Sequence, residues 1–315
     1  MKNCVVIYNP NSGHIFKEKY LKEYKTILQK NNYTPKFIGT QYRGHAKEIV
    51  NHLEYVDLVI SMGGDGTFNE VVTGNLERKQ PLILAHIPVG TTNDIGVMFG
   101  YGKDMIKNLE LVLKGVVKGM DICTINGHPF TYVAGFGKFL EIPYDTPRKL
   151  KKKYGYLAYL IEGVKDFLNP TKLYKVTYKV NGTEKTGYYS LMLISSANRI
   201  AGINNFYKDV KLDDDQFEVL FCNFRKRSDI LKTFTLLLTT DVTKVSGLEF
   251  YKTNHIELKF EDYPKKAWCV DGERLDQAVL NYDIKNIRNV KIMMPRKNIN
   301  KNFVNKTIIE TNKGN

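Results

Sequence analysis

The 315-residue chain has too little cysteine, spread too widely, for a disulfide framework or a cysteine metal site. Cys4, Cys123, Cys222 and Cys269 include no pair at metal-ligand spacing and are expected to be reduced core residues of a cytoplasmic protein. The six histidines are equally dispersed, and none stands beside a cysteine or acid at zinc spacing. No apolar run approaches the roughly 18 residues of a membrane span. The opening MKNCVVIYNP breaks at Asn9-Pro10, too early for a signal peptide, and reads as a first strand. Internal repeats and extended low-complexity tracts are also absent.

Acid is in the minority. Lys and Arg number 47 against 33 Asp and Glu, a formal charge of +14. Such a surface attracts polyanions: nucleic acid, an anionic membrane face or a phosphorylated small molecule. No nucleic-acid motif accompanies the charge, so no nucleic-acid partner is expected. The densest basic run is RKLKKKYG, Arg148 to Gly155.

The length suits about two domains. Through residue 120 or so, short apolar runs alternate with helical stripes. Cys4–Tyr8, Lys36–Gly39, Leu58–Ile60 and Leu82–Ile87 read as strands. Tyr20–Leu28, Ala46–Leu53, Phe68–Leu76 and Met105–Val116 carry apolar residues at helical spacing. This order predicts a parallel sheet covered by helices, with its polar loops gathered at the carboxyl edge where such sheets bind ligands. Beyond Met120 the texture changes to short, partly alternating β-branched and aromatic runs, with Asn181-Gly182 as a hairpin signal. These runs are Phe130–Phe136, Leu173–Val180, Gly187–Ser195, Phe217–Asn223, His255–Phe260 and Ala267–Val270, with helices near Tyr156–Phe167 and Ile230–Leu238. The expected organisation is an α/β domain over residues 1–125, rejoined by 289–315, and a mainly antiparallel β-sandwich domain over 126–288. No regular element is expected between Pro295 and Phe303.

The loops carry the chemistry. In SMGGDGTFNE, Gly63, Gly64 and Gly66 free the backbone to approach a ligand, and the following helix N-terminus favours phosphate. The stretch has neither the GKS/GKT ending of an ATPase loop nor G-x-G-x-x-G spacing. Asp65 beside phosphate calls for an intervening divalent cation or a hydroxyl proton. PVGTTND repeats the logic with Gly90, Thr91, Thr92, Asn93 and Asp94, although Asn-Asp is also an ordinary helix cap. Asp213-Asp214-Asp215 is either a solvated turn or an oxygen site for a hard cation. Asp271-Gly272 is an ordinary hairpin dipeptide, followed by Glu273.

GGDGTFNE (Gly63–Glu70) followed by PVGTTND (Pro88–Asp94) resembles the diacylglycerol kinase catalytic domain superfamily, which also holds sphingosine, ceramide and bacterial soluble lipid kinases. YNPNSG (Tyr8–Gly13), GHA (Gly44–Ala46), YGYLAYLIEG (Tyr154–Gly163), Asn198–Phe221 and VDGE (Val270–Glu273) match in order. The resemblance implies an NAD-kinase/phosphofructokinase-like parallel sheet, a β-sandwich, and use of ATP and Mg²⁺. It places Asn9, Thr40, Gly63, Gly64, Asp65, Gly66, Thr67, Phe68, Asn69, Glu70 and Thr91 around the nucleotide. It sets Asp65 and Asp94 near Mg²⁺, and Glu273, with Asp271 beside it, as general base. Asp214, with the carbonyls of Lys211 and Gln216, would hold a structural Mg²⁺. There the family usually has Asp-Gly and this chain has Asp214-Asp215; its usual Pro-Asp-Ala is replaced by Lys208-Asp209-Val210. The expected acceptor is diacylglycerol at an anionic membrane surface, with phosphatidylglycerol or a sphingoid base as alternatives. NAD kinase ranks lower because it lacks the GTTND and DGE combination. Peripheral membrane association, with Arg148–Lys153 as the contact, and a homodimer complete the expectation.

Overall fold

The computed structural model describes residues 1–10, 12, 18–140, 167–200, 203–204, 206–207, 209–237, 245, 248–276 and 278–304. Among them, β1 (Lys2–Tyr8), β2 (Tyr33–Gly39), β3 (Leu58–Gly63) and β4 (Ile83–Pro88) alternate with α1 (Glu18–Lys30), α2 (His45–Asn51) and α3 (Asp65–Leu76). All four strands are parallel, in the order 2-1-3-4. β3 is buried along its whole length, which explains its unbroken apolar run: a parallel strand inside such a sheet has no solvent face. α1 buries Tyr24 and Leu28, and the Tyr24 hydroxyl donates to the Met105 carbonyl at 2.8 Å.

After β4 come α4 (Asp94–Met98) and α5 (Met105–Leu113). The helical stripe expected to run through Val116 stops at Leu113. Gly115 passes so close under Met294 that a Cβ there would lie 2.1 Å from its carbonyl oxygen. Val116 and Val117 then open β5 (Val116–Ile125), where β-branched residues pack better than on a helix.

The described residues form two compact units, Met1–Asp121 with Lys211–Asp214 and Arg288–Asn315, and Ile122–Val210 with Asp215–Ile287. Lys211–Asp214 thus groups with the first unit although its sequence neighbours belong to the second. In the first unit, Ile292 and Met293 of the long final strand pair in parallel with Leu84 and Ala85 of β4. The segment after Pro295, expected to be irregular, makes a 3₁₀ turn (Arg296–Asn298) and a short helix (Ile299–Asn302). Its anchors were not visible as a pattern: Asn302 donates to the Met98 carbonyl at 2.7 Å, and its own carbonyl accepts from Leu212 N–H at 2.7 Å.

The second unit is a sandwich of antiparallel sheets. One contains β7 (Val133–Gly137), β10 (Leu191–Ser195), β13 (Phe217–Cys222), β14 (Leu248–Thr253), β16 (Trp268–Val270) and β17 (Glu273–Leu275). The other contains β8 (Tyr174–Val180), β9 (Thr183–Tyr189), β15 (His255–Phe260) and the Asn281–Lys285 end of β18 (Asn281–Met294). The run read as one strand, Gly187–Ser195, divides at Ser190, and β14 had no sequence signal. Trp268, the lone tryptophan, is fully buried with Phe136 at 5.6 Å and Tyr282 at 5.3 Å. All four cysteines are buried and free. No described helix is long and apolar enough to cross a membrane. The expected helix at Tyr156–Phe167 and the basic run Arg148–Gly155 lie outside the described residues, save Phe167.

Candidate active site

The register of the parallel sheet brings the expected loops together. Tyr8 is level with Gly39 and Met62, and Gly63 with Pro88, so the four strands end at one edge. Bonds between the emerging chains hold that edge: Asn9 N–H to the Met62 carbonyl (3.1 Å), Thr40 N–H to Tyr8 (2.8 Å) and Val89 N–H to Gly63 (2.8 Å). The chain leaves β1 towards β2 and leaves β3 towards β4, so the strand order reverses between β1 and β3, where open α/β sheets bind ligands. Asn9 and Thr40 are half-buried there, and Thr91 is exposed.

The glycines of GGDG do more than free the backbone for a ligand. Gly63 lies against its own helix, where a Cβ would meet Thr67 Oγ1 at 2.4 Å. Gly64 and Gly90 meet backbone to backbone, and a Cβ on Gly90 would stand 2.6 Å from Gly64 Cα. α3 then begins at Asp65 with no side-chain cap hydrogen bond, the kind of helix end whose first-turn amides favour an anion.

Asp65 itself is buried, and its carboxylate accepts from Asp94 N–H at 3.0 Å, Ile95 N–H at 3.3 Å and the Thr92 hydroxyl at 3.5 Å. It therefore caps α4 from another helix. That placement sets the Asp94 side chain, itself buried, beside the same turn. The donor set fits Mg²⁺ in chemical type, because two hard carboxylates of one loop pair are brought together. Asn93, read from the sequence as either a ligand-loop amide or a helix cap, is left-handed at φ 51° and ties its own loop shut. Its Oδ1 accepts from Gly90 N–H at 2.7 Å and its Nδ2 donates to the Gly90 carbonyl at 2.8 Å.

Two residues expected around the nucleotide have other work. Phe68 is fully buried against His86 (4.8 Å) and Phe99 (6.4 Å), a core residue on the inner face of α3. Glu70 accepts from Gly44 N–H (2.8 Å) and Ala46 N–H (3.1 Å), so it caps α2 and fixes the GHA loop. Asn69 is half-buried one turn before Thr73, whose hydroxyl lies 3.5 Å from its Oδ1.

In the second unit Asp271 and Glu273 differ sharply. Asp271 turns the β16–β17 hairpin at φ 48° with Gly272 at φ 83°. Its buried carboxylate accepts from Thr131 N–H and Oγ1 (both 2.6 Å), Tyr132 N–H (3.1 Å) and Val133 N–H (3.0 Å). Burial raises its carboxyl above the ordinary range, against these four hydrogen bonds. This acid is a strut and not a base beside Glu273. Glu273, two residues on, is exposed at the start of β17.

In the acidic turn, Asp215 stands at φ 61°, the left-handed region where the family's glycine would be unstrained. Its carboxylate accepts from Asn254 Nδ2 and Asn286 Nδ2, both at 3.2 Å. Asp213 accepts from Val304 N–H at 2.6 Å, and Lys211 Nζ donates to the Lys301 carbonyl at 2.7 Å. Asp214 is half-buried between them and Gln216 is exposed. Among the described residues no group of three His, Cys, Asp or Glu side chains is placed to hold a metal ion, so any cation here would lean on carbonyl oxygens.

Comparison with known proteins identifies the family. A family model for the diacylglycerol kinase catalytic domain matches residues 3–125. The diacylglycerol kinase of Bacillus subtilis is 30% identical over 302 residues, covering 94% of this chain and 97% of that protein. That of Staphylococcus aureus is 29% identical over 317 residues, covering 99% and 98%. A solved diacylglycerol kinase structure from Bacillus anthracis aligns over 94% of this chain and 97% of its own, with a TM-score of 0.74 at 20% identity, and so shares the fold. The chain belongs to the diacylglycerol kinase family and is a phosphotransferase with an alcohol acceptor.

Proposed function

We propose that this enzyme transfers the γ-phosphoryl group of Mg-ATP to the free hydroxyl of diacylglycerol, yielding phosphatidic acid and ADP. The observation that carries the reading is the Gly64–Gly90 contact. It sets the GTTND loop against the N-terminus of α3, which follows a strand of the β1–β3 switch point, and backbone amides there can cradle phosphates.

In the transfer, the acceptor oxygen bonds to the γ-phosphorus as the bond to the β–γ bridging oxygen breaks. Glu273 takes the hydroxyl proton, which suits an exposed carboxylate. Gly63, Gly64, Gly66 and Thr67 hold phosphate oxygens, with Asn9, Thr40 and Thr91 lining the nucleotide. Asp65 and Asp94 would hold Mg²⁺, directly or through water, and the ion would neutralise charge spread over the phosphates. Asp65 also grips the Asp94 and Ile95 amides and so sets the position of Asp94. The Lys211–Gln216 turn would hold a structural Mg²⁺ through Asp214 and two carbonyls.

The substrate lies in a bilayer, and a chain of charge +14 is drawn to an anionic surface. Peripheral docking from the cytoplasmic side through Arg148–Lys153, as a homodimer, belongs to the same reading.

The test is Mg-ATP-dependent phosphorylation of diacylglycerol, phosphatidylglycerol and a sphingoid base in mixed micelles, with NAD as a fourth acceptor. Transfer to diacylglycerol, lost in Glu273→Ala, is expected. Transfer to another lipid changes the acceptor and keeps the chemistry; transfer to NAD alone overturns the reading.

A further inference from the structure

The loop after β2 holds an aromatic group that the reading above does not use. Tyr42 follows Thr40 by two residues and is 54% exposed. An exposed tyrosine on a loop is normally free to turn, but this one is held. Its hydroxyl donates to Glu48 Oε2 at 2.6 Å, and its ring stacks on the His45 imidazole at 4.7 Å and 11°. His45 is held in turn, because its Nδ1 accepts from Gln41 N–H at 3.0 Å. The loop backbone is anchored at both ends: Thr40 N–H bonds to Tyr8, and Gly44 and Ala46 N–H bond to Glu70. One face of the Tyr42 ring is covered by imidazole and the ring remains largely open to solvent.

Its place in the sheet gives this ring a use. β2, β1 and β3 are successive neighbours, so the loop after β2 stands about 10 Å from the loop after β3 at ordinary strand spacing. Phosphates bound at Gly64 and the start of α3 would leave the ribose and base of a nucleotide to cross that distance. Among the described residues the loop on the opposite flank offers no such surface. There the loop after β4 is closed on itself by Asn93 and Gly90, and α4 buries Asp94, Ile95, Gly96 and Met98.

We propose that the open face of Tyr42, backed by His45, is the platform on which the base of the nucleotide stacks. The ring is already fixed, so stacking orders little that is still mobile. Every base has a π-face, and stacking on an aromatic ring is sequence-tolerant, so the platform gives affinity for the nucleoside part and little choice among bases. The inference rests on the proposed nucleotide site and adds its base-binding end.

Calorimetric titration of the full-length protein with ADP and, separately, with pyrophosphate tests it. Tyr42→Ala is expected to weaken ADP about tenfold, within the range for loss of one stacked base. Its pyrophosphate affinity should match that of the parent, and Tyr42→Phe, which keeps the ring, should bind ADP within about threefold of it. Unchanged ADP binding by Tyr42→Ala overturns the platform, as does an equal loss of ADP and pyrophosphate, which would make Tyr42 a support of the loop. A parent protein that binds neither ligand overturns the nucleotide site itself, and the platform with it.

Discussion

Gly64 stands in the side-chain space of Gly90: a Cβ on Gly90 would fall 2.6 Å from Gly64 Cα and 2.8 Å from Asn93 Oδ1, whereas one on Gly64 would meet Gly90 Cα at an ordinary 3.5 Å. Neither neighbour can yield cheaply, since one is backbone and the other is bonded twice to Gly90. Gly90→Ala should therefore separate the two loops. A displacement near 1 Å costs about 100-fold in rate at a site of this kind, so kcat/KM for ATP should fall by roughly that factor. Gly102→Ala, where a Cβ meets nothing within 4 Å, should stay within about twofold. Equal kinetics in the two variants would separate the glycine contact from function.

Asp65 can be tested apart from the metal. Asp65→Ala removes the acceptor for the Asp94 and Ile95 amides at the start of α4 and should destabilise the fold by about 1–2 kcal/mol, as loss of a helix cap does. Urea unfolding without Mg²⁺ or nucleotide measures this. A midpoint equal to that of the parent would show that the carboxylate serves ligand alone.

His86 lies fully buried against Phe68, and burial lowers its pKa from 6.5 to about 3, weakly opposed by the Ser61 backbone. Between those values the unfolded chain takes up a proton that the folded chain refuses. Stability should thus be unaffected by this group above pH 6.5 and fall by about 1.4 kcal/mol per pH unit below it, until pH 3 is neared. His86→Leu should remove that slope. Parallel pH profiles of the urea midpoint in the two proteins would refute the assignment.

At Asp215, strain and bonding oppose each other. A non-glycine residue at φ 61° costs about 1 kcal/mol, while two amide bonds to a carboxylate contribute about 1.5 kcal/mol or more each. The bonds should win. Asp215→Gly is expected to destabilise by about 1 kcal/mol or more, and Asp215→Ala by more, since alanine keeps the strain and loses the bonds. Thermal unfolding of both variants reads the order; a stabilised Asp215→Gly would reverse the balance.

The proposed membrane contact can be tested on its own. Replacing Lys151, Lys152 and Lys153 by Glu should cut sedimentation with phosphatidylserine vesicles by at least tenfold, since each basic residue near an anionic surface is worth about 1 kcal/mol. Unchanged sedimentation would remove this run from the docking surface.

The first unit was readable because its information is local. Alternating strand and helix periods dictate a parallel sheet, and a parallel sheet places every loop of the same sense at one edge. Asn9, Thr40, Gly64 and Gly90 could be gathered there on paper. Helix ends were less certain: Val116 continues the stripe of α5 by spacing, yet Gly115 must pass under Met294, far along the chain.

Side-chain use was decided by the tertiary fold. Asp65, Glu70 and Asp271 look alike as acids of the expected ligand loops, yet all three spend oxygens on backbone amides 29, 24 and 140 residues away. No periodic pattern carries such pairings, because they depend on which loops the fold sets side by side. Phe68 shows the same limit, reading as part of a ligand loop and lying in the core. The sequence by itself determined where the glycine-rich loops would emerge, through strand period and glycine. Only the tertiary structure decided which acids hold the site in shape, because a carboxylate's role is set by the donors packed around it.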